Sequence, residues 1–202
     1  MLLYYISDRT RFVGSESERR SALLSKIVEA SRCGVDFIQL REKDLCAREL
    51  EKLACTAVAA VRSNSSKTRL LINSRTDIAI ACSADGVHLR SDDISPREVR
   101  HLWASAVIGV SCHSEAQVSQ ALDDGADFAV LAPIFEKKDT WVKPAGLDAL
   151  HVASQEHIRV FALGGVTTEN AGACVEAGAA GVAGIRLFQE NDIARVVQAL
   201  RG

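Results

Sequence analysis

Gln39, Arg41 and Lys43 alternate along the run Gln39-Leu40-Arg41-Glu42-Lys43-Asp44, so an extended backbone sends an amide and two cations to one side. Two cations in a partly desolvated pocket suit a diphosphate, the guanidinium gripping it bidentately and the ammonium acting as a point charge. The same run also reads as a solvated loop in which Arg41 pairs with Glu42 or Asp44. Asp92-Asp93 offers carboxylates to Mg2+, an ion that takes one or two carboxylates together with substrate phosphates. The competing reading is an exposed turn ahead of Pro96, and beside Asn73 the neutral Ser74 adds no second carboxylate. In Ser111-Cys112-His113, alternation puts Ser111 and His113 on one side and turns Cys112 outward. His113 is a candidate general acid or base, because imidazole titrates near neutral pH. His88 reads as a hydrogen-bonded core residue, and His101, His151 and His157 as helix-surface positions.

Two further turns are built for an anion. Leu163-Gly164-Gly165-Val166-Thr167 lets the backbone approach a ligand and leads into a helix whose dipole adds to the free N–H groups. Ala183-Gly184-Ile185-Arg186 is a second such turn with a guanidinium beside it. The longest connection, 132–146, is polar and cation-rich, and Lys137, Lys138 or Lys143 are placed either to close over a phosphate or simply to be solvated.

The elements that must position these residues alternate along the chain. Short aliphatic runs at 2–6, 37–40, 69–72, 86–89, 107–110, 128–131, 159–163 and 181–185 predict strands. Amphipathic stretches at 16–33, 46–63, 75–82, 95–103, 114–124, 146–155, 168–178 and 189–201 predict the helices between them. Helix-length crossovers imply parallel pairing. Gly34, Gly125 and Gly178 sit just past three helix ends, where a left-handed residue closes the helix. Ser95-Pro96, Ser114 with Gln117, and Thr167 or Thr168 with Glu169 mark helix starts. The rival open doubly wound sheet calls for G-x-G-x-x-G after the first strand, and Ser7-Asp8-Arg9-Thr10 stands there instead. Residues 1–202 are thus expected to form one α/β domain, a (β/α)8 TIM barrel with its ligand site at the C-terminal ends of the strands.

Composition agrees. The 202 residues are 48% hydrophobic and 25% charged with a net charge of −2, so no global basicity points to nucleic acid or an anionic membrane. Six scattered cysteines without C-x-x-C pairs predict reduced thiols and a cytoplasmic protein. Small phosphorylated molecules are the expected partners, and a homodimer is the assembly to test.

These motifs, in this order, resemble the thiamine phosphate synthase family and its thiazole tautomerase (TenI-like) branch. The resemblance runs from Tyr5-Ile6-Ser7-Asp8 to the last helix. It rests on Gln39-Leu40-Arg41-Glu42-Lys43-Asp44, Ile72-Asn73-x-Arg75-x-Asp77, Ala84-Asp85-Gly86-Val87-His88-Leu89, Gly109-Val110-Ser111-Cys112-His113-Ser114 and Leu163-Gly164-Gly165-Val166-Thr167-x-Glu169-Asn170. It implies an enzyme that joins a hydroxymethylpyrimidine diphosphate to a phosphorylated thiazole. Diphosphate departs with the help of Mg2+, leaving a pyrimidine carbocation. By resemblance Gln39 contacts the pyrimidine; Arg41, Lys43 and Asn73 hold the diphosphate with Ser111 beside it; Asp93 matches a metal aspartate; Gly165 and Ile185-Arg186 hold the thiazole phosphate. The departures are Ser74 at the second metal aspartate, Arg90-Ser91 in place of Gly-Gln, Glu136-Lys137-Lys138-Asp139 in place of a Thr-rich loop, and Arg186 in place of a Ser. The tautomerase branch needs no metal, and there the residue matching His113 shifts the proton. The synthase is the favoured reading, because a tautomerase has no need of Gln39, Arg41, Lys43, Asn73 and Asp93. A barrel that binds thiamine phosphate without chemistry also fits these motifs, as does an isomerase or epimerase of sugar phosphates.

Overall fold

The aliphatic runs become strands buried on both faces, as a parallel sheet covered by helices requires. The computed structural model describes residues 1–136 and 143–202. Its strands are β1 Leu2–Ile6, β2 Phe37–Leu40, β3 Arg69–Asn73, β4 Gly86–Leu89, β5 Val107–Cys112, β6 Phe128–Leu131, β7 Arg159–Leu163 and β8 Gly181–Gly184. All pair in parallel with their chain neighbours, and β8 returns to β1 through Leu2↔Gly181, closing the barrel β1-β2-β3-β4-β5-β6-β7-β8. The surrounding helices are α1 Glu16–Arg32, α2 Ala47–Asn64, α3 Thr76–Ala81, α4 Pro96–Leu102, α5 Glu115–Asp123, α6 Gly146–Ala153, α7 Ala171–Glu176, α8 Arg186–Gln189 and α9 Ile193–Arg201. The expected (β/α)8 barrel is the observed one.

Alternation along the strands divides the core into two. Tyr4, Ile6, Phe37, Leu71, Phe128, Val130, Phe161 and Ala183 fill the barrel. There Tyr4, Phe37, Phe128 and Phe161 pack with ring centroids 5.1 to 5.9 Å apart. The opposite faces of the same strands, including Leu3, Ile38, Ile72, Val87, Ile108 and Cys112, pack against the helices. A residue at the inward parity therefore either fills the barrel or, at the upper strand ends, faces the mouth.

Gly34, Gly125 and Gly178 are left-handed as expected, and Ser95 and Ser114 cap α4 and α5 through the N–H groups of Glu98 and Gln117. Two boundaries move. The helix expected over 189–201 starts at Ile193, capped by Asp192, and a separate α8 precedes it. The helix expected from 168 starts only at Ala171. Asn170 is the reason: its side chain accepts from the Thr167 N–H at 2.8 Å and donates to Gly165 O at 2.9 Å, holding 167–170 in a turn. Thr167 and Thr168 are consequently not the caps of α7. His157 lies in the turn between α6 and β7, not on a helix.

Candidate active site

Everything singled out at the strand ends lies at one mouth of the barrel, and the arrangement begins with a residue the sequence did not single out. Arg9 follows β1 and is 4% exposed. Its guanidinium grips Asp44 with Nη1 and Nη2 at 2.6 and 2.8 Å, reaches Glu42 at 3.2 Å, and donates from Nε to Glu16 at 2.8 Å. Glu42 is held further by the Ser7 hydroxyl at 2.5 Å and the Arg9 N–H at 3.0 Å. Burial pushes the Glu42 carboxyl up, opposed by these hydrogen bonds and by Arg9, while Arg9 holds Asp44 below the usual carboxylate range.

Both carboxylates of the 39–44 run therefore turn toward Arg9. The pairing of Arg41 with Glu42 or Asp44 does not form; among the described residues Arg41 and Lys43 are in no ion pair. Burial makes the Arg41 guanidinium easier to deprotonate than usual, and Arg41, followed by burial, does the same to the Lys43 ammonium. Asp8 acts on both in the opposite sense, and two neighbouring cations without an ion pair suit an anion.

Below them a chain of hydrogen bonds crosses the barrel. Gln39 Nε2 donates to Tyr4 Oη at 3.1 Å, Tyr4 Oη lies 3.1 Å from His88 Nδ1, and His88 Nε2 lies 2.9 Å from Ser111 Oγ. Gln39, Tyr4 and His88 are buried, and burial, with Arg41 adding to it, lowers the His88 imidazolium pKa to about 3. A neutral ring has one N–H. Because Tyr4 receives the Gln39 proton, its own hydroxyl donates to Nδ1, which assigns the imidazole proton to Nε2. Ser111 then accepts from His88 and keeps its own proton for whatever lies in the mouth. His88 is thus the core residue expected, and also the support of a candidate site residue.

Asn73 closes the inward side of β3, opposite His88, and donates to the Ser74 hydroxyl at 3.1 Å. Asp93 Oδ2 accepts the Arg90 N–H at 2.7 Å, and Asp92 pairs with the Arg90 guanidinium at 2.6 Å. Among the described residues no three His, Cys, Asp or Glu side chains are grouped to hold a metal. These donors do not fit a resident Mg2+. They fit an ion brought in on phosphate oxygens, with Asp93 as the carboxylate at hand.

His113 is exposed, with Nδ1 2.8 Å from Ala132 O and its N–H on Gln117 at 2.6 Å. A carbonyl accepts only from N–H, so Nδ1 carries a proton and Nε2 is left toward solvent. Cys112 is fully buried against the helix layer, and burial raises its thiol to about 12, as an outward-packed residue requires.

Opposite the cations, a cleft of about 900 Å³ opens between the ends of β7 and β8, lined by Gly164, Gly165, Thr167, Ile185 and Arg186 among others. Gly165 has φ +69°, and a Cβ there would come within 2.7 Å of Phe135 Cβ and 2.9 Å of Glu136 O. The turn is tied to the start of the next loop by Ile134 N–H to Leu163 O and Phe135 N–H to Gly164 O. Because α7 starts late, open loop N–H groups, Arg186 and the start of the short α8, not the terminus of α7, are what this cleft offers an anion. Lys143 is exposed where that loop returns, two residues before Ala145 N–H meets Pro133 O at 2.8 Å. Lys137 and Lys138 lie outside the described residues. Sequence reading missed Arg9 and the linking role of Tyr4; the available signal for Arg9 was a cation following Ser7-Asp8 within reach of the two acids after β2.

Residues 3–188 match the family model described as thiamine monophosphate synthase. A putative thiamine-phosphate synthase 2 of Aquifex aeolicus is 40% identical over 190 residues, covering 93% of this chain and 97% of that protein. A putative thiamine-phosphate synthase of Geobacter sulfurreducens is 42% identical over 187 residues, covering 90% and 83%. Among solved structures, a thiamine phosphate pyrophosphorylase from Pyrococcus furiosus superposes with a TM-score of 0.84 at 27% identity, covering 99% of this chain and 93% of that one. A 3-hexulose-6-phosphate synthase at 18% identity and a TM-score of 0.69 shares the barrel. The matched span takes in the strand-end motifs of β1 to β8, and the chain belongs to the thiamine monophosphate synthase family.

Proposed function

We propose that this protein is a thiamine phosphate synthase, a transferase of thiamine biosynthesis that joins hydroxymethylpyrimidine diphosphate to thiazole phosphate and releases diphosphate. The observation that carries this reading is the capture of Glu42 and Asp44 by Arg9, which leaves Arg41 and Lys43 with their charge directed at the mouth above Gln39 and Ser111.

In the reaction the bond between the pyrimidine methylene carbon and its diphosphate oxygen breaks, and the electron pair leaves with the diphosphate. Arg41 and Lys43 hold the charge that gathers on the leaving oxygens, and Asn73 and the Ser111 hydroxyl donate to them. Such donors stabilise the transition state because they are in place before charge develops. Gln39 faces the pyrimidine. The thiazole captures the cation, its phosphate held at the other end by the Gly164-Gly165 backbone, by Ile185-Arg186 and by Lys143. Were Mg2+ to accompany the diphosphate, Asp93 would be the carboxylate to hold it, and the ion would supply further neutralisation of the leaving group. Six free cysteines suit a reducing compartment such as the cytoplasm, and no helix described is long and apolar enough to cross a membrane.

His113 supports a second reading, a tautomerase, because its anchored Nδ1–H frees Nε2 to move a proton. One assay separates the two. Purified protein with both substrates and millimolar Mg2+ is expected to release diphosphate and form thiamine phosphate, and His113→Ala is expected to retain that activity. No diphosphate release at saturating substrates overturns the synthase; metal-independent thiazole isomerisation abolished in His113→Ala establishes the tautomerase.

A further inference from the structure

The carboxylates around the diphosphate end are committed elsewhere, while a third cation stands beside the two already described. His88 is at the inward parity of β4, with its ring bonded to Tyr4 and Ser111. Arg90, two residues on, continues that side at the mouth, as Arg41 continues from Gln39 on β2. The register Leu40↔Ile72 and Ile72↔Val87 puts the end of β3, with Asn73, between them. Strands two apart are separated by roughly 10 Å, a span that two arginine side chains close from both sides onto one diphosphate. Arg90 also adds to the lowering of both the Arg41 and the Lys43 proton affinity, as a charge facing the same space must.

Asp8 and Glu42 act on Arg41, and Asp8 on Lys43, in the opposite sense, yet among the described residues no acid is ion-paired with either cation. Glu42 and Asp44 belong to Arg9. Asp93 is turned back to cap the Arg90 N–H, and Ser74, which follows Asn73, brings only a hydroxyl. The one ion pair of Arg90 among the described residues is to Asp92, with 55% and 66% of the two side chains exposed. An exposed pair of this kind contributes little and yields readily to a stronger anion.

We propose that Arg90 is a diphosphate-binding residue, the third member of an Arg41–Lys43–Arg90 cradle that holds the diphosphate without requiring a divalent cation. The cradle takes over charge neutralisation that a carboxylate-bound metal would otherwise perform. This deepens the synthase reading and rests on it for the identity of the ligand.

Calorimetric titration with inorganic pyrophosphate, in EDTA and in millimolar MgCl2, tests it on the full chain. Wild type is expected to bind in both buffers with similar affinity. Arg90→Gln, which keeps the backbone N–H that Asp93 caps, is expected to lose roughly tenfold or more in EDTA, the worth of a charge-assisted contact. It should recover most of that loss when Mg2+ is added, and Arg90→Lys should bind better than Arg90→Gln in EDTA. Unchanged thermal melting of the variants shows that the loss is local. Wild-type binding seen only with Mg2+, or equal affinities of wild type and Arg90→Gln in EDTA, overturns the cradle and leaves the synthase reading standing. Absence of pyrophosphate binding by wild type in both buffers overturns the two together.

Discussion

His88 shows how much one buried residue sets at this site. Its ring is 2% exposed, and both nitrogens are used, one toward Tyr4 and one toward Ser111. Protonation would put two donors where Tyr4 supplies a hydrogen and Ser111 an oxygen, so the folded chain resists it. Burial lowers the folded pKa to about 3, whereas the unfolded chain takes up a proton near the ordinary 6.5. Between those values the unfolded state binds more protons, so stability falls as pH drops through the window and is fully present above it. The contribution is on the order of a few kcal/mol at the acid end. Wild type is expected to lose melting temperature between pH 6.5 and 4 more steeply than His88→Gln; parallel curves would contradict this.

Between elements, the ends of β1 and β2 are joined by Arg9, with Ser7 on β1's continuation bonded to Glu42 and accepting the Arg41 N–H at 2.9 Å. Removing Arg9 leaves Glu42, 1% exposed on its side chain, without a counter-charge. Breaking a buried pair from one side costs about 3–5 kcal/mol. Arg9→Ala is therefore expected to lower the urea midpoint strongly. It should also weaken the pyrimidine diphosphate, because Glu42 and Asp44 become free to pair with Arg41 and Lys43. A variant with unchanged midpoint and unchanged KM would show that Arg9 positions nothing. Here the limit of sequence reading is specific. Alternation turned Gln39 inward to Tyr4 as expected, but the choice between a solvated loop and a cation site at Arg41 and Lys43 depended on a residue 33 and 35 positions away from the acids.

At the scale of the molecule, the site exists only because the barrel closes. Strand β8 carries Ala183 inward and leads to Ile185-Arg186, and its last neighbour is β1, which leads to Ser7 and Arg9. At the seam a Cβ on Gly181 would lie 2.1 Å from Leu2 O and 2.7 Å from its carbonyl carbon. Backbone cannot retreat from such an overlap without parting the strands. Gly181→Ala is expected to abolish cooperative folding, read as loss of the melting transition in circular dichroism, whereas a variant melting close to wild type would refute the seam's tightness.

The sequence by itself determined the eight strands, their parallel order, the glycine-ended helices and the chemical types gathered at the mouth, because two-residue and helical periodicities and turn chemistry are local properties. The late start of α7 escaped it, since Asn170 competes for backbone groups that a helix start would otherwise use. Tertiary structure alone decided which charge neutralises which. Arg9 takes Glu42 and Asp44, Arg90 turns Asp92 and Asp93 to itself, and Arg41 and Lys43 are left without an ion pair among the described residues. Ion pairing depends on distances across the barrel, and chain closure rather than neighbourhood in sequence sets those distances.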